Sequence, residues 1–339
     1  MRTSAEEAAV DDAVIVRELT DLVRETFLLW DEIWVGFSWQ HYFFNHTQRV
    51  RALCRAIGSQ EGEDLRKLEY AALLHDITKR YDGNILLDSQ GKRVLDENGF
   101  WLNELLSPKR ENVVTRLYHA HNQVHTLHNV SGAFIAHQVL TSYGLPPAFC
   151  ASIAAIIRSH LRPNSYQDES SEDCLEKTIL YEADTIDANV GLTAFYRNIH
   201  IRTHRASLQP TDAAVHQYVS TLAPWIDQKA AFLDQIATTT GRLIAQRRVE
   251  RMKEVHAQLL DELHNHLPAS LEWGLLGVIK SIMRQNSDPD LEQELNQLLI
   301  EQTLRCDALK EGSDPVPRAL AQRALTFCQQ LAEETAGQA

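Results

Sequence analysis

The chain has 339 residues, of which 44% are hydrophobic and 23% charged, and its formal net charge at pH 7 is −13. This length supports a substantial core, and the proportions are those of an ordinary globular protein. The acidic balance argues against general nucleic-acid binding, which needs a basic face for the phosphate backbone. It does not exclude a small phosphorylated ligand, because a bound metal ion can supply positive charge locally.

The cysteines and the N-terminus indicate the compartment. Five scattered cysteines form no close pairs, which is typical of free thiols in a reducing environment. The first residues, "MRTSAEEAAVDDAV", are acidic and lack the apolar segment of a secretion signal. No apolar run approaches the roughly 18 residues needed to span a bilayer. We therefore predict a cytoplasmic protein that does not associate with membranes.

Helical periodicity dominates the chain from its first residues onward. Apolar side chains recur at three- and four-residue steps, as in "VIVRELTDLVRETFLLW", "KLEYAALLHDI" and "PAFCASIAAIIRSHL". Several of these runs are followed by glycine, the usual C-terminal stop of a helix; the glycines are Gly58, Gly144 and Gly191. The pattern predicts an all-α fold, a bundle of helices.

One segment departs from this periodicity. In "NILLDSQGKRVLDENG", residues 84–99, two short β-prone runs flank a turn-like "DSQGK". We expect a small hairpin-like insertion there, either covering a site or lying on the surface. Beyond residue 205 the chain stays helical in long amphipathic stretches. We therefore predict a core in residues 1–205 and a helical extension in residues 206–339, which serves oligomerisation, as in a homodimer, or caps a substrate.

Histidines are concentrated in the first half. Of fifteen, nine fall between His41 and His160. Several histidines and aspartates lie at or beside the apolar faces of predicted helices, where burying them without partners would cost several kcal/mol each. A bundle that points them inward would let them share a metal ion. Imidazole and carboxylate ligands without thiolates suit Fe, Mn, Co, Ni or Zn.

The order of these residues resembles a known family, the HD-domain metal-dependent phosphohydrolases. Its motif is a histidine, a His-Asp doublet and a distant aspartate, and dinuclear members add two histidines. The matching residues here, in chain order, are His46, His75, Asp76, His128, His160 and Asp184. The contexts also match, among them "HTQRV", "HDITK" and "EADTID", and the resemblance spans roughly residues 35–195. Within this family, the sequence is similar to bacterial HD hydrolases that act on nucleotides and dinucleoside polyphosphates.

The resemblance implies an HD-domain helical bundle with two divalent metal ions per chain, drawn from Fe, Mn, Ni, Co, Zn and Mg. One ion would be held by His46, His75, Asp76 and Asp184, and the other by Asp76, His128 and His160. It further implies a phosphomonoesterase, phosphodiesterase or pyrophosphohydrolase that uses a metal-activated water on a small nucleotide-like phosphate ester or anhydride. Asp76 and Lys79 are the catalytic candidates.

Three residues are candidates for binding the substrate. Lys79, one turn after Asp76 and expected on the same helix face, is placed to meet a phosphate. Arg49, three residues after His46, could contact the phosphate or a ligating carboxylate. His125 is three residues before His128, so on a continuous helix the two would share a face.

Two other hypotheses about the function involve the same metal ligands. A small branch of HD proteins carries a mixed-valence diiron centre that activates oxygen, and oxygen consumption with an iron requirement would identify it. A non-catalytic nucleotide-sensing module would instead bind a nucleotide tightly without turnover, with the C-terminal helices as its output surface.

Overall fold

The computed structural model describes residues 4–30, 40–95, 102–124, 126–161, 174–205, 209–284, 290–309 and 314–337. Its α-helices are α1 Ser4–Phe27, α2 Gln40–Glu61, α3 Leu65–Leu74, α4 Val113–Ala120, α5 His128–Ser142, α6 Pro147–Arg158, α7 Cys174–Asn189, α8 Leu192–Arg205, α9 Asp212–Ser220, α10 Leu222–Ala230, α11 Thr239–Asn265, α12 Leu267–Trp273, α13 Leu275–Met283, α14 Leu291–Ala308 and α15 Pro315–Thr335. Two short strands, β1 Asp82–Ile85 and β2 Asn103–Leu105, lie between α3 and α4 in the chain. Turns of 3-10 helix span Lys79–Tyr81 and Ala231–Gln235. The all-α prediction is confirmed.

The chain divides into two compact units, Met1–Asp184 and Thr185–Ala339. In the first unit α2 packs along α3, α5 packs along α6, and α3 also contacts α6. In the second unit α14 packs along α15, and α12 contacts both α13 and α15. This division falls inside α7, upstream of residue 205, and the roles assigned to residues 1–205 and 206–339 stay predictions. In the described part of the chain, no helix combines the length and apolarity needed to cross a membrane.

Helix α3 is the central helix of the first unit, and its sequence accounts for its position. The Asp64 carboxylate caps the N-terminus by accepting hydrogen bonds from the backbone N–H groups of Arg66 and Lys67. Its second half is buried from Tyr70 to Leu74. A helix buried around most of its circumference must lie inside the bundle, so the residues that follow Leu74 start out in the interior.

The prediction that Gly58 ends a helix is wrong. Helix α2 continues to Glu61, and Gly62, with φ +82°, provides the left-handed residue after the helix end. A side chain at Gly58 would collide with Leu68 and Leu65 of α3. Gly58 therefore serves the close approach of α2 and α3 and not the end of α2. Gly144 and Gly191 do adopt positive φ just after α5 and α7.

The hairpin prediction is confirmed for residues 84–95; residues 96–99 lie outside the described residues. Leu87 pairs with Arg93 in an antiparallel bridge around a turn that includes Gly91, with φ +75°. The Asp88 carboxylate accepts hydrogen bonds from the backbone of Gln90 and Lys92 and stabilises that turn. Strand β1 additionally pairs antiparallel with β2, which the sequence did not predict.

In the second unit, a carboxylate on the last helix, α15, caps the N-terminus of α8. The carboxylate of Glu334 on α15 is fully buried and accepts hydrogen bonds from the backbone N–H groups of Leu192 (2.7 Å) and Thr193 (3.4 Å) at the beginning of α8. Gly191, with φ +106°, leaves room for this carboxylate, because a Cβ there would collide with it. α15 therefore belongs to the core of its unit.

Candidate metal centre

The His-Asp doublet lies where α3 ends. The helix stops at Leu74, and His75 and Asp76 occupy the turn that follows. Both are buried, with exposures of 0% and 4%. An apolar helix thus carries an ionisable pair into the interior, and the pair needs partners there.

Those partners are imidazoles from other helices. His46 on α2, His128 at the start of α5 and His160 just beyond α6 are all buried. With the doublet they form two groups whose ligand atoms lie within 4.8 Å of one another, the first being His46, His75 and Asp76 and the second Asp76, His128 and His160. The two groups share Asp76.

The two oxygens of Asp76 face different histidines. Its Oδ2 lies 3.7 Å from Nε2 of His46 and 3.5 Å from Nε2 of His75. Its Oδ1 lies 3.3 Å from Nε2 of His128 and 3.6 Å from Nε2 of His160. The carboxylate is therefore placed between two imidazole pairs, with one oxygen for each.

Two of the imidazoles are held by their own helix ends. Nδ1 of His75 lies 2.7 Å from the carbonyl oxygen of Ala72, and Nδ1 of His160 lies 2.6 Å from that of Ile157. A carbonyl only accepts, so each Nδ1 carries the proton and donates it, which leaves a lone pair on Nε2. These bonds also satisfy carbonyls that the end of a helix leaves without a partner.

Asp184 joins the first group from α7. Its Oδ1 lies 3.1 Å from Nε2 of His46 and 3.9 Å from Nε2 of His75. Burial would raise the pKa of this carboxyl, but the hydrogen bond and charge of His46, together with the nearby His75 and His160, lower it. Asp184 is thus an anionic ligand candidate beside Asp76.

His128 is oriented by a residue that sequence reasoning missed. Its Nδ1 contacts the Asp82 carboxylate, at the start of β1, while its Nε2 faces Asp76. A carboxylate behind a histidine fixes the tautomer and the direction of the free nitrogen, as in many metalloproteins. The only sequence signal was an acidic residue six positions after the doublet, and the intervening 3-10 turn hid its direction.

The turn around the doublet is fastened to α5. The Thr78 hydroxyl donates to the carbonyl oxygen of His128 (3.2 Å) and lies 2.8 Å from the Ser131 hydroxyl. Gly132 allows the two segments to approach, because a Cβ there would lie 3.2 Å from the carbonyl oxygen of His75. The contact between the turn at Thr78 and helix α5 therefore positions both His75 and His128.

Burial sets the charge states. It lowers the pKa of His75 to about 4 despite the attraction of Asp76, so this imidazole is neutral at pH 7. Burial would raise the pKa of Asp76, but the surrounding imidazoles, with His75 first, hold it well below its ordinary range. A neutral imidazole and an ionised carboxylate are the forms that bind metal ions.

The predicted substrate-binding residues fall in different places. Lys79 does not continue α3, because it begins the 3-10 turn after the doublet; its ammonium nevertheless lies 3.3 Å from the ring nitrogens of His128 and 3.7 Å from Asp82. Arg49 is buried, with its guanidinium 5.1 Å from the centre of the Tyr42 ring. His125 lies outside the described residues, and α4 and α5 on either side of it are separate helices. Contact of these residues with a phosphate stays a prediction.

A small cavity lies beside Asp82, the carboxylate that contacts His128. Its volume is about 150 Å³, and it is lined by Leu86 of the hairpin-like segment, by Leu102 and Leu105 at β2, and by Asp82 and Tyr118. The Tyr118 ring stacks on that of Tyr81, another lining residue, at a centroid distance of 3.6 Å. The hairpin-like segment therefore contributes Leu86 to the wall of this cavity.

The residues fit divalent metal ions. In the described part of the chain, Nε2 of His75 and Nε2 of His160 are buried and have no hydrogen-bond partner. A buried lone pair without a donor is costly, and a cation between it and Asp76 would satisfy it. Imidazoles and carboxylates without a thiolate are the donors that Fe, Mn, Co, Ni and Zn accept.

Comparisons with known proteins give a family match. Residues 43–189 match the family model of the HD domain. Among solved structures, the chain is similar to a predicted HD superfamily hydrolase from an uncultured Thermotogales bacterium, with 24% identity, coverage of 73% of this chain and 92% of that one, and a TM-score of 0.41. It is also similar to YpgQ of Bacillus subtilis in complex with ADP, with 17% identity, coverage of 76% and 99%, and a TM-score of 0.43. A search of curated proteins found no significant match.

Proposed function

We propose that this chain, whose residues 43–189 match the HD domain, is a metal-dependent phosphohydrolase that hydrolyses a phosphate ester or anhydride of a small nucleotide-like molecule. The observation that carries this proposal is Asp76, whose two oxygens each face a separate pair of imidazoles. A carboxylate so placed is suited to bridge two cations.

These distances support the proposed ligand sets. His46, His75, Asp76 and Asp184 would hold one ion, and Asp76, His128 and His160 the other. Divalent cations bound there would supply a water of lowered pKa and would neutralise phosphate charge. The protein's part is to hold the donors: the carbonyls of Ala72 and Ile157 orient His75 and His160.

Lys79 is the proposed phosphate contact. Its side chain is one-fifth exposed and its ammonium lies beside His128, so it borders the second group of ligands. A positive group fixed at that position would attract a phosphate and stabilise charge that develops during hydrolysis. Asp76 and Lys79 are therefore the proposed catalytic residues, with Lys79 also binding substrate.

Nucleotide-like substrates are proposed because the motifs resemble those of the family. The small cavity beside Asp82 is a candidate binding site for part of the group attached to the phosphate. At about 150 Å³ the cavity could take a small ring or sugar-sized fragment. The other proposed substrate contacts are Arg49 and His125.

The test uses the full-length protein purified without chelators. Metal content is measured, and phosphate release is followed for nucleotides, dinucleoside polyphosphates and sugar phosphates with Mn²⁺, Fe²⁺, Co²⁺, Ni²⁺, Zn²⁺ and Mg²⁺. Asp76→Ala should lose both metal and hydrolysis, while Asp234→Ala, at an exposed position in the second unit, should keep both. An Asp76→Ala protein that hydrolyses without metal would refute the proposal. Oxygen uptake with ferrous iron would favour the diiron oxygenase, and tight nucleotide binding without turnover would favour the sensor.

A further inference from the structure

A solvent-exposed groove in the first unit collects arginines from three helices. Its volume is about 720 Å³, and it is lined by residues of α1, α2 and α3. We call it the arginine groove, after its lining residues Arg17, Arg24, Arg51, Arg55 and Arg66. Its carboxylates are Asp12, Asp21 and Glu69.

The groove reverses the charge balance of the chain. Among the described residues it carries five arginines against three carboxylates, in a chain whose net charge is −13. Arg17 and Arg55 are exposed, and neither has an ion-pair partner within the described residues. A bound anion would give these two guanidiniums a charged partner.

The three remaining arginines each bind a carboxylate of the groove, and Nη1 of Arg24 donates to Asp21 at 3.0 Å. Arg66 makes two hydrogen bonds to Asp12, of 2.6 and 2.8 Å. Nε of Arg51 donates to Glu69 at 3.0 Å. A guanidinium carries five N–H donors, so one that binds a carboxylate keeps donors for a second anion. Its planar fork matches the oxygens of a phosphate, which a lysine ammonium does not.

The groove lies on other helix faces than the candidate metal centre. His46 and Arg55 are nine residues apart on α2, and Arg66 and His75 are nine residues apart along α3 and its C-terminal cap. At about 100° per residue, nine residues amount to about two and a half turns, so each pair lies on opposite faces. An anion in the groove would thus not contact the histidine ligands of these helices.

We propose that the arginine groove binds a phosphorylated small molecule with two or more phosphate groups, at a site separate from the candidate metal centre. The volume falls within the roughly 300–1,000 Å³ typical of small-molecule sites. Val16 and Leu65 add apolar surface for the rest of the molecule. The acidic chain as a whole disfavours nucleic acid as the occupant. This inference does not depend on the hydrolytic activity proposed above.

The test is calorimetric titration of the full-length protein with inorganic tripolyphosphate, with EDTA present so that no metal ion binds the probe. We expect saturable binding of one tripolyphosphate per chain and at least tenfold weaker binding of sulfate at equal ionic strength. The double variant Arg17→Gln/Arg55→Gln should bind at least tenfold more weakly than the unmodified chain. A charge-matched control, Arg242→Gln/Arg284→Gln, changes two exposed arginines of the second unit and should bind normally.

Two further variants separate this site from the metal centre. Asp76→Ala, which is expected to lose metal and hydrolysis, should keep tripolyphosphate binding, and so should Lys79→Gln. The proposal is overturned if no saturable binding occurs, if both arginine double variants lose affinity equally, or if Lys79→Gln abolishes binding. Thermal unfolding midpoints of the variants verify that each is folded.

Discussion

Replacing Asp82 by alanine should weaken metal binding at the second group of ligands and leave the first group nearly intact. Asp82 contacts Nδ1 of His128, whose Nε2 lies 3.3 Å from Oδ1 of Asp76. Without the carboxylate, the imidazole can take the other tautomer or rotate away from the ion. Removing such a supporting partner lowers metal affinity by about 10- to 100-fold, or about 1.4–2.8 kcal/mol.

The size of the effect should depend on what replaces the carboxylate. Asp82→Asn keeps the shape and an acceptor oxygen for the Nδ1 proton but removes the negative charge, so its loss should be smaller than that of Asp82→Ala. Nearby Lys79, 3.7 Å from Asp82, would lose its ionic partner in both variants. The order of affinities should therefore be the unmodified chain, then asparagine, then alanine.

The assay is competition for Mn²⁺ or Zn²⁺ between the metal-free protein and a chromogenic chelator, which resolves two binding steps. One step should weaken in the Asp82 variants and the other should stay within about threefold. Asp234→Ala serves as the matched control, because it removes an exposed aspartate in the second unit. Unchanged affinities in Asp82→Ala, in a folded protein, would show that the carboxylate does not orient His128 and would refute the reasoning.

Three further predictions concern other parts of the molecule. Lys79→Gln should lower kcat/KM for phosphate release by about 100-fold while metal content stays unchanged, since it removes one fixed positive donor; loss of metal instead would make Lys79 a structural residue. Gly132→Ala should not give the gain of about 1 kcal/mol in the free energy of unfolding that alanine normally brings to a helix interior, because its Cβ would lie 3.2 Å from the carbonyl oxygen of His75; a denaturation midpoint raised by that full amount would contradict this. Burial raises the pKa of Glu294 to about 8 in the folded chain, above its ordinary value. Between about pH 5 and pH 8 the folded state therefore keeps the proton that the unfolded state has lost. The free energy of unfolding should fall as pH rises through this range, by at most about 1.4 kcal/mol per pH unit. Glu294→Gln should flatten this profile in thermal unfolding, and an equally steep profile would exclude Glu294 as its cause.

Helix content was predictable because the apolar repeats are regular and long. The hairpin was predictable for the same reason, since a turn composition interrupts that repeat. Gly58 shows the limit of such patterns: a glycine after an apolar run is typical of a helix end, but here it accommodates Leu68 of a neighbouring helix. Local sequence does not specify which neighbour comes close.

The candidate site shows the same division. His46, His75, Asp76 and the later histidines could be proposed together because their order resembles a family motif. Asp82 could not, because its direction depends on a 3-10 turn that follows α3. The sequence predicted Lys79 on a continuation of the helix that carries Asp76, but that helix, α3, ends at Leu74. Positions within motifs were thus predictable, and positions set by the exit path of the chain were not.

The carbonyl bonds of His75 and His160 affect how the protein would handle its ions. Each ring is anchored by the carbonyl three residues before it, within its own helix end. The ordering of these two ligands is thus completed when α3 and α6 form, so little of the ordering entropy remains to be lost when an ion arrives. The metal-free protein should keep these ligand side chains arranged for cation binding. One metal ion should therefore exchange for another without refolding of the chain.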